Sequence, residues 1–204
     1  ALGLRADGAG VRGELAYAGY VHETAVQYLV DCAPSLDGFV AEVEAGLAFA
    51  RRTGSEQTGQ WLDSHRWLAG VLRGEIPAAA SEAVTTDRYT DNPLALLLTH
   101  LARAIAATVF GDQNGLARHS AAAMPLLPAA VGLYPIAVAH LLRGLALARQ
   151  IGTADADERD GLSVELEAVT MAQTFSTLAN SPFSLVEKVM DFMAGKGRLM
   201  SQRE

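Results

Sequence analysis

Cysteine occurs once in this chain, at Cys32, so no internal disulfide can staple it, a usage that suits a reducing cytoplasm. Cationic side chains are outnumbered, 16 Lys and Arg against 23 Asp and Glu, giving a net charge of −7. That balance argues against a nucleic-acid surface, which needs clustered Lys and Arg. No uncharged apolar stretch reaches the roughly 20 residues that cross a bilayer, so no membrane contact is expected. The pattern of a signal peptide is also missing near the N-terminus. Strand-type alternation of apolar and polar residues is absent throughout. What remains is a chain of 204 residues, half of them hydrophobic, with apolar positions recurring at helical spacing. It is long enough to bury a sizeable core.

The clearest stretch is 35–74, which reads as two helices joined at a glycine. Leu36, Phe39, Val40, Val43, Leu47 and Ala50 fall at steps of three and four. Ser35 stands at the N-cap position, and Gly54 where the chain must turn left-handed after Arg51 and Arg52. The second helix puts Trp61, His65, Leu68 and Leu72 on one face and stops at Gly74. Such a hairpin cannot bury its stripe alone and needs similar pairs on either side, the logic of a helical repeat array.

Taken in order, the glycine-rich residues 1–13 read as a flexible lead-in. A helix from about Glu14 to Cys32 follows, with Leu15, Ala18, Val21, Ala25, Tyr28 and Leu29 inward. After the hairpin, 75–92 interrupts the periodicity and reads as a mobile loop, with a short helix at 78–85 as an alternative. Asn92 and Pro93 open an apolar helix that Gly111 closes. Shorter and longer helices are expected at 112–124, 134–151, 161–179 and 182–195, and 199–204 forms a tail. The pattern predicts one all-α domain over 14–198, a tetratricopeptide-like array of helical hairpins (an α-solenoid) with eight or nine helices.

Motifs that could carry chemistry are weak. Gly8–Gly13 satisfies G-x-G-x-x-G, but no strand precedes it as a dinucleotide site requires. Gly195-Lys196-Gly197 lacks the upstream glycine and the following hydroxyl of a P-loop. Asp155, Asp157 and Asp160 lack the closing Glu of a calcium loop. His22, His65, His100, His119 and His140 are scattered singly, without the i, i+4 pairing of a metal site. Cys32 reads as a small core residue. No catalytic, metal or cofactor residue is therefore assigned.

The stretch AEVEAGLAFARRTGSEQTGQWLDSHRWLAGVLRGE (41–75) resembles a recurrent helix pair, "glxlArrtG…LrG", of large bacterial signalling ATPases. HLLRGLALARQ (140–150) and TFSTLANSPFSLVEKVMDFMAGKGR (174–198) are similar to later helices of the same proteins, although LVEKVMDFM replaces their "LveAErA". These are the protein-kinase-K-type Ser/Thr kinases and the LuxR-type, MalT-like ATP-dependent regulators. The resemblance implies their tetratricopeptide-like scaffold or sensor region, since no kinase, Walker or DNA-binding motif lies within the chain. The implied role is a non-catalytic regulatory module in the cytoplasm. Its partner would be a neighbouring ATPase, kinase or output domain of the same parent chain, or a separate protein, with a small inducer as a further possibility. Trp61, His65, Arg66, Trp67 and Arg73 are the expected groove residues: aromatic rings offer broad contact area and arginines charged hydrogen bonds. The rival reading is a closed helical bundle holding a small hydrophobic ligand between the helices at 94–110 and 134–148; an enzyme is a third.

Overall fold

A computed structural model describes residues 3–77, 89 and 91–180. Seven α-helices stand among them: α1 (Gly3–Cys32), α2 (Leu36–Thr53), α3 (Glu56–Leu72), α4 (Pro93–Phe110), α5 (Gln113–Ala123), α6 (Pro135–Thr153) and α7 (Ala156–Asn180). A 3-10 helix, Met124–Ala130, links α5 to α6 across Pro125 and Pro128. No strand occurs among the described residues. The count is seven rather than eight or nine, and the two further helices expected, at 78–85 and 182–195, lie outside the described residues.

The helix starts follow the local chemistry closely. Side-chain oxygens of Ser35, Ser55, Asn92 and Asp112 accept from the backbone N–H three residues on, at 2.9–3.4 Å. Each satisfies a donor that the first helical turn leaves open. Gly54 ends α2 with φ 67°, a left-handed position where a Cβ would be strained.

Two starts differ from the sequence reading. α7 begins at Ala156 rather than 161, because Asp155 accepts from the Glu158 N–H at 3.0 Å and caps it. Asp157 and Glu158 then sit in the first turn, where the helix dipole favours negative charge. At the other end, the expected lead-in is helical from Gly3, so Gly8–Gly13 lies inside α1. Each glycine costs about 1 kcal/mol against alanine in a helix but removes no hydrogen bond, so a run of them weakens a helix without breaking it.

Consecutive helices pack on one another from α1 to α7, with additional packing of α1 on α3 and of α4 on α6. Two cores result. Val26, Phe39, Val43, Leu47, Leu62 and Ala69 fill the space among α1, α2 and α3. Leu97, Leu101, Leu116, Ala139, Leu142 and Ala146 fill that among α4, α5 and α6. Each fully buried leucine or phenylalanine contributes roughly 1.5–3 kcal/mol of transfer free energy. A seam of Leu68 and Val71 against Ala102 and Ala106 joins the two. Gly46 permits the close approach of α2 to α3, since a Cβ there would fall 2.6 Å from the Leu62 methyl. By length and composition α4 could cross a membrane, but 56% of it is buried inside the fold.

Of the loop expected at 75–92, Ile76 packs beside Gly70 and against the seam. Tyr89 is buried, and its hydroxyl donates to Asp63 at 2.9 Å. Asn92 donates to Gln60 at 2.6 Å. Residues 78–88 and 90 lie outside the described residues.

Candidate functional site

The face that α1 buries is not the one its apolar residues mark. Leu15, Val21 and Tyr28, expected inward, are exposed, as are Tyr17 and Tyr20. Buried instead are Glu23, Gln27 and Asp31, spaced four apart along one face, with Val26 beside them. The reversal is tertiary. Gly19 lies directly against Thr58, and His22 packs on Gly46 while its Nδ1 lies 3.1 Å from Glu42. These contacts fix the rotation of α1, and the polar row goes in with them.

Gln27 and Asp31 open onto a cavity shared by four helices. His65 and Leu68 come from α3, Leu98, Leu101, Ala102 and Ile105 from α4, and Pro135 and Val138 from α6; Tyr134 stands just before α6. Its enclosed volume is about 30 Å³, room for one or two waters, and about 420 Å³ of empty space surrounds it when the mouth is included. Tyr134 closes the ring. Its hydroxyl donates to Asp31 at 3.1 Å and its ring lies 5.0 Å from that of Tyr28. Burial, then the nearby Asp31 carboxylate, pushes the Tyr134 hydroxyl above its usual pKa.

Two buried groups, Glu23 on the inward row of α1 and His65 on the cavity wall, have shifted pKa values. Burial raises the Glu23 carboxyl from 4.5 to about 8, so it is largely neutral at pH 7. Its Oε1, like Nε2 of Gln27, is buried without a hydrogen-bond partner. Leaving such an atom unsatisfied costs about 1–3 kcal/mol. Burial lowers His65 to about 4, partly offset by its Nδ1 lying 3.2 Å from the Trp61 carbonyl. A carbonyl only accepts, so Nδ1 carries the proton and the neutral ring leaves Nε2 as an acceptor.

The five expected groove residues do not share one surface. His65 is a wall of the cavity, its ring edge-on to Phe39 at 6.4 Å. Trp61 is half-buried and joins none of the cores, because Leu62 and Ala69, one position round, take the inward direction. Trp67 packs against the α3–α4 seam with the Arg103 guanidinium 5.5 Å over its ring. Arg66 is exposed and pairs with Glu44 at 3.1 Å, while Arg73 pairs with Asp37 and with Glu75.

Trp67 and Arg103 line a second cleft, about 390 Å³, with Phe110, Asn114, Arg118 and His119. Here the fold joins two histidines that sequence separated. His100 on α4 and His119 on α5 face each other with 3.1 Å between their Nδ1 atoms. That spacing needs one ring to donate and the other to accept, so the two cannot both be protonated. Burial, then the charges of His100, Arg118 and Arg103, holds His119 at about 4. Among the described residues no group of three or more His, Cys, Asp or Glu is placed to hold a metal ion. Cys32, expected in the core, is exposed, since α1 buries its last inward residue at Asp31 and ends.

Comparison with family models, curated proteins and solved structures finds no match for this chain.

Proposed function

We propose that the chain is a non-catalytic interaction module, a tetratricopeptide-like helical array within a larger bacterial signalling or transcription-regulating protein. Its partner is a neighbouring ATPase, kinase or output domain of the same parent, or a separate protein, in the cytoplasm. The observation that carries the reading is the outward apolar row of α1. Tyr17 is 70% and Val21 48% exposed, with Tyr28 seven residues on, at the spacing by which a helix meets another helix. An amphipathic helix that turns its polar row inward and its aromatic row outward has a surface suited to a covering element. The packing of each helix on the next supports the array. The resemblance of 41–75 to signalling ATPases supplies the class of partner.

The test is association of the chain with the adjoining domain of its parent, measured by calorimetry. Tyr17→Asp combined with Val21→Asp is expected to weaken it at least tenfold and leave helicity unchanged. Unchanged affinity would overturn the reading. A second reading, a closed bundle holding a small hydrophobic ligand, is favoured by the cavity that α4 and α6 wall together with α1 and α3.

A further inference from the structure

The cavity among α1, α3, α4 and α6 sets a donor and an acceptor beside the Asp31 carboxylate, with apolar side chains around them. The donor is Gln27 Nε2, 95% buried with its residue and without a partner. The acceptor is His65 Nε2, set by the hydrogen bond of the opposite ring nitrogen to the Trp61 carbonyl. The Asp31 carboxylate on the same wall takes the Tyr134 hydroxyl. Leu68, Leu98, Leu101 and Val138 complete the lining. A group that both accepts and donates once, attached to an apolar body, matches this set, and a hydroxyl does so.

We propose that this cavity is a binding site for a small uncharged alcohol. Its hydroxyl accepts from Gln27 Nε2 and donates to His65 Nε2, and its alkyl part lies along Leu68, Leu98, Leu101 and Val138. The enclosed 30 Å³ takes the hydroxyl end, and the wider space toward the mouth takes a short chain. A carboxylate is excluded, because it would lose its hydration beside the Asp31 charge and face an acceptor at His65. An ammonium has no lone pair to accept from Gln27 Nε2 and would leave that donor unsatisfied. This inference does not require the α1 face to dock a partner, and either can fail without the other.

The test uses the whole 204-residue chain and nitrogen-15 NMR of the Gln27 side-chain amide and the His65 ring. 1-Butanol is expected to shift both signals saturably, whereas butyrate and butylammonium leave them in place. Gln27→Leu, which keeps the bulk and removes the donor, is expected to weaken 1-butanol binding at least tenfold. Should that variant fail to fold, 1-butanol against 1-chlorobutane on the unaltered chain decides the matter. Equal shifts with the two, tighter binding of butylammonium, or water as the cavity's only occupant at saturating 1-butanol would each overturn the proposal.

Discussion

Tyr134 donates its hydroxyl to Asp31 at 3.1 Å across 103 positions of sequence. This bond ties the end of α1 to the start of α6 and makes the cavity a shared space rather than an open furrow. Tyr134→Phe keeps the ring contact with Tyr28 and deletes only the donor. A buried carboxylate deprived of a hydrogen bond costs about 1–3 kcal/mol. Urea melts are expected to show a loss in that range, with Asp31→Asn and Tyr134→Phe coupled in a double-mutant cycle. Additive losses would mean that the two groups do not support each other.

Stability should pass through a maximum near pH 6.5. Glu23 binds its proton in the folded state up to about 8 but in the unfolded chain only to 4.5. Its contribution to stability is therefore present below 4.5 and lost as pH rises to 8. His65 and His119 have the opposite sign. Held at about 4 when folded against 6.5 unfolded, they cost stability at low pH, a cost that disappears as pH rises through 6.5. Two histidines outweigh one carboxyl below 6.5, and above it Glu23 outweighs them. Wild type is expected to lose about 1 kcal/mol from pH 6.5 to 8.5, the Glu23 loss partly offset by the last of the histidine gain, and Glu23→Gln to lose none. A decline of equal steepness in both proteins would relocate the titrating group.

The tryptophans should differ in the order opposite to the sequence reading. Placing Trp61 with Leu68 and Leu72 makes it the core residue, but Trp67 is the one packed on the α3–α4 seam beneath Arg103. Trp67→Ala is expected to cost about 3 kcal/mol, near the low end for a buried aromatic, and Trp61→Ala distinctly less. Paired guanidinium melts measure the difference. A larger loss at Trp61 would show that its covered indole does more than the cores suggest.

How far the fold could be read depends on which interactions are local. The caps at Ser35, Asn92 and Gly54 act within one turn, so their residues announced the helix ends. Inclusion of His65 in the hairpin core follows from its spacing to Leu68. The rotation of α1 does not, because apolar residues lie on both of its sides. What selects the buried side is Gly19 against Thr58 and Tyr134 against Asp31, contacts 39 and 103 positions apart. The row Glu23, Gln27, Asp31 at steps of four was nevertheless visible, and a uniform polar row is a signal for a special environment. His100 and His119 carry no such mark, since the turn at Gly111 and Asp112 decides their meeting.

α7 should be the first helix to leave the fold. Among its described side chains only Val169 is buried, where it and Leu166 lie over Gly144 of α6. The strongest polar tie is Arg143 to Glu165, two parallel hydrogen bonds at 2.7 and 2.9 Å. The Arg143 side chain is 11% exposed, so water competes with this pair less than with a surface pair, whereas Glu165 at 44% remains partly screened. Over the described side chains of α7, Leu166, Val169 and that fork are the ties to α6. Glu165→Gln preserves shape and removes the charge, and is expected to raise amide exchange along α7 about tenfold. Exchange in α4, whose leucines are shared by both neighbours, should stay unchanged. If α4 and α7 accelerate together, the helix is not a separate opening unit and the array unfolds as one.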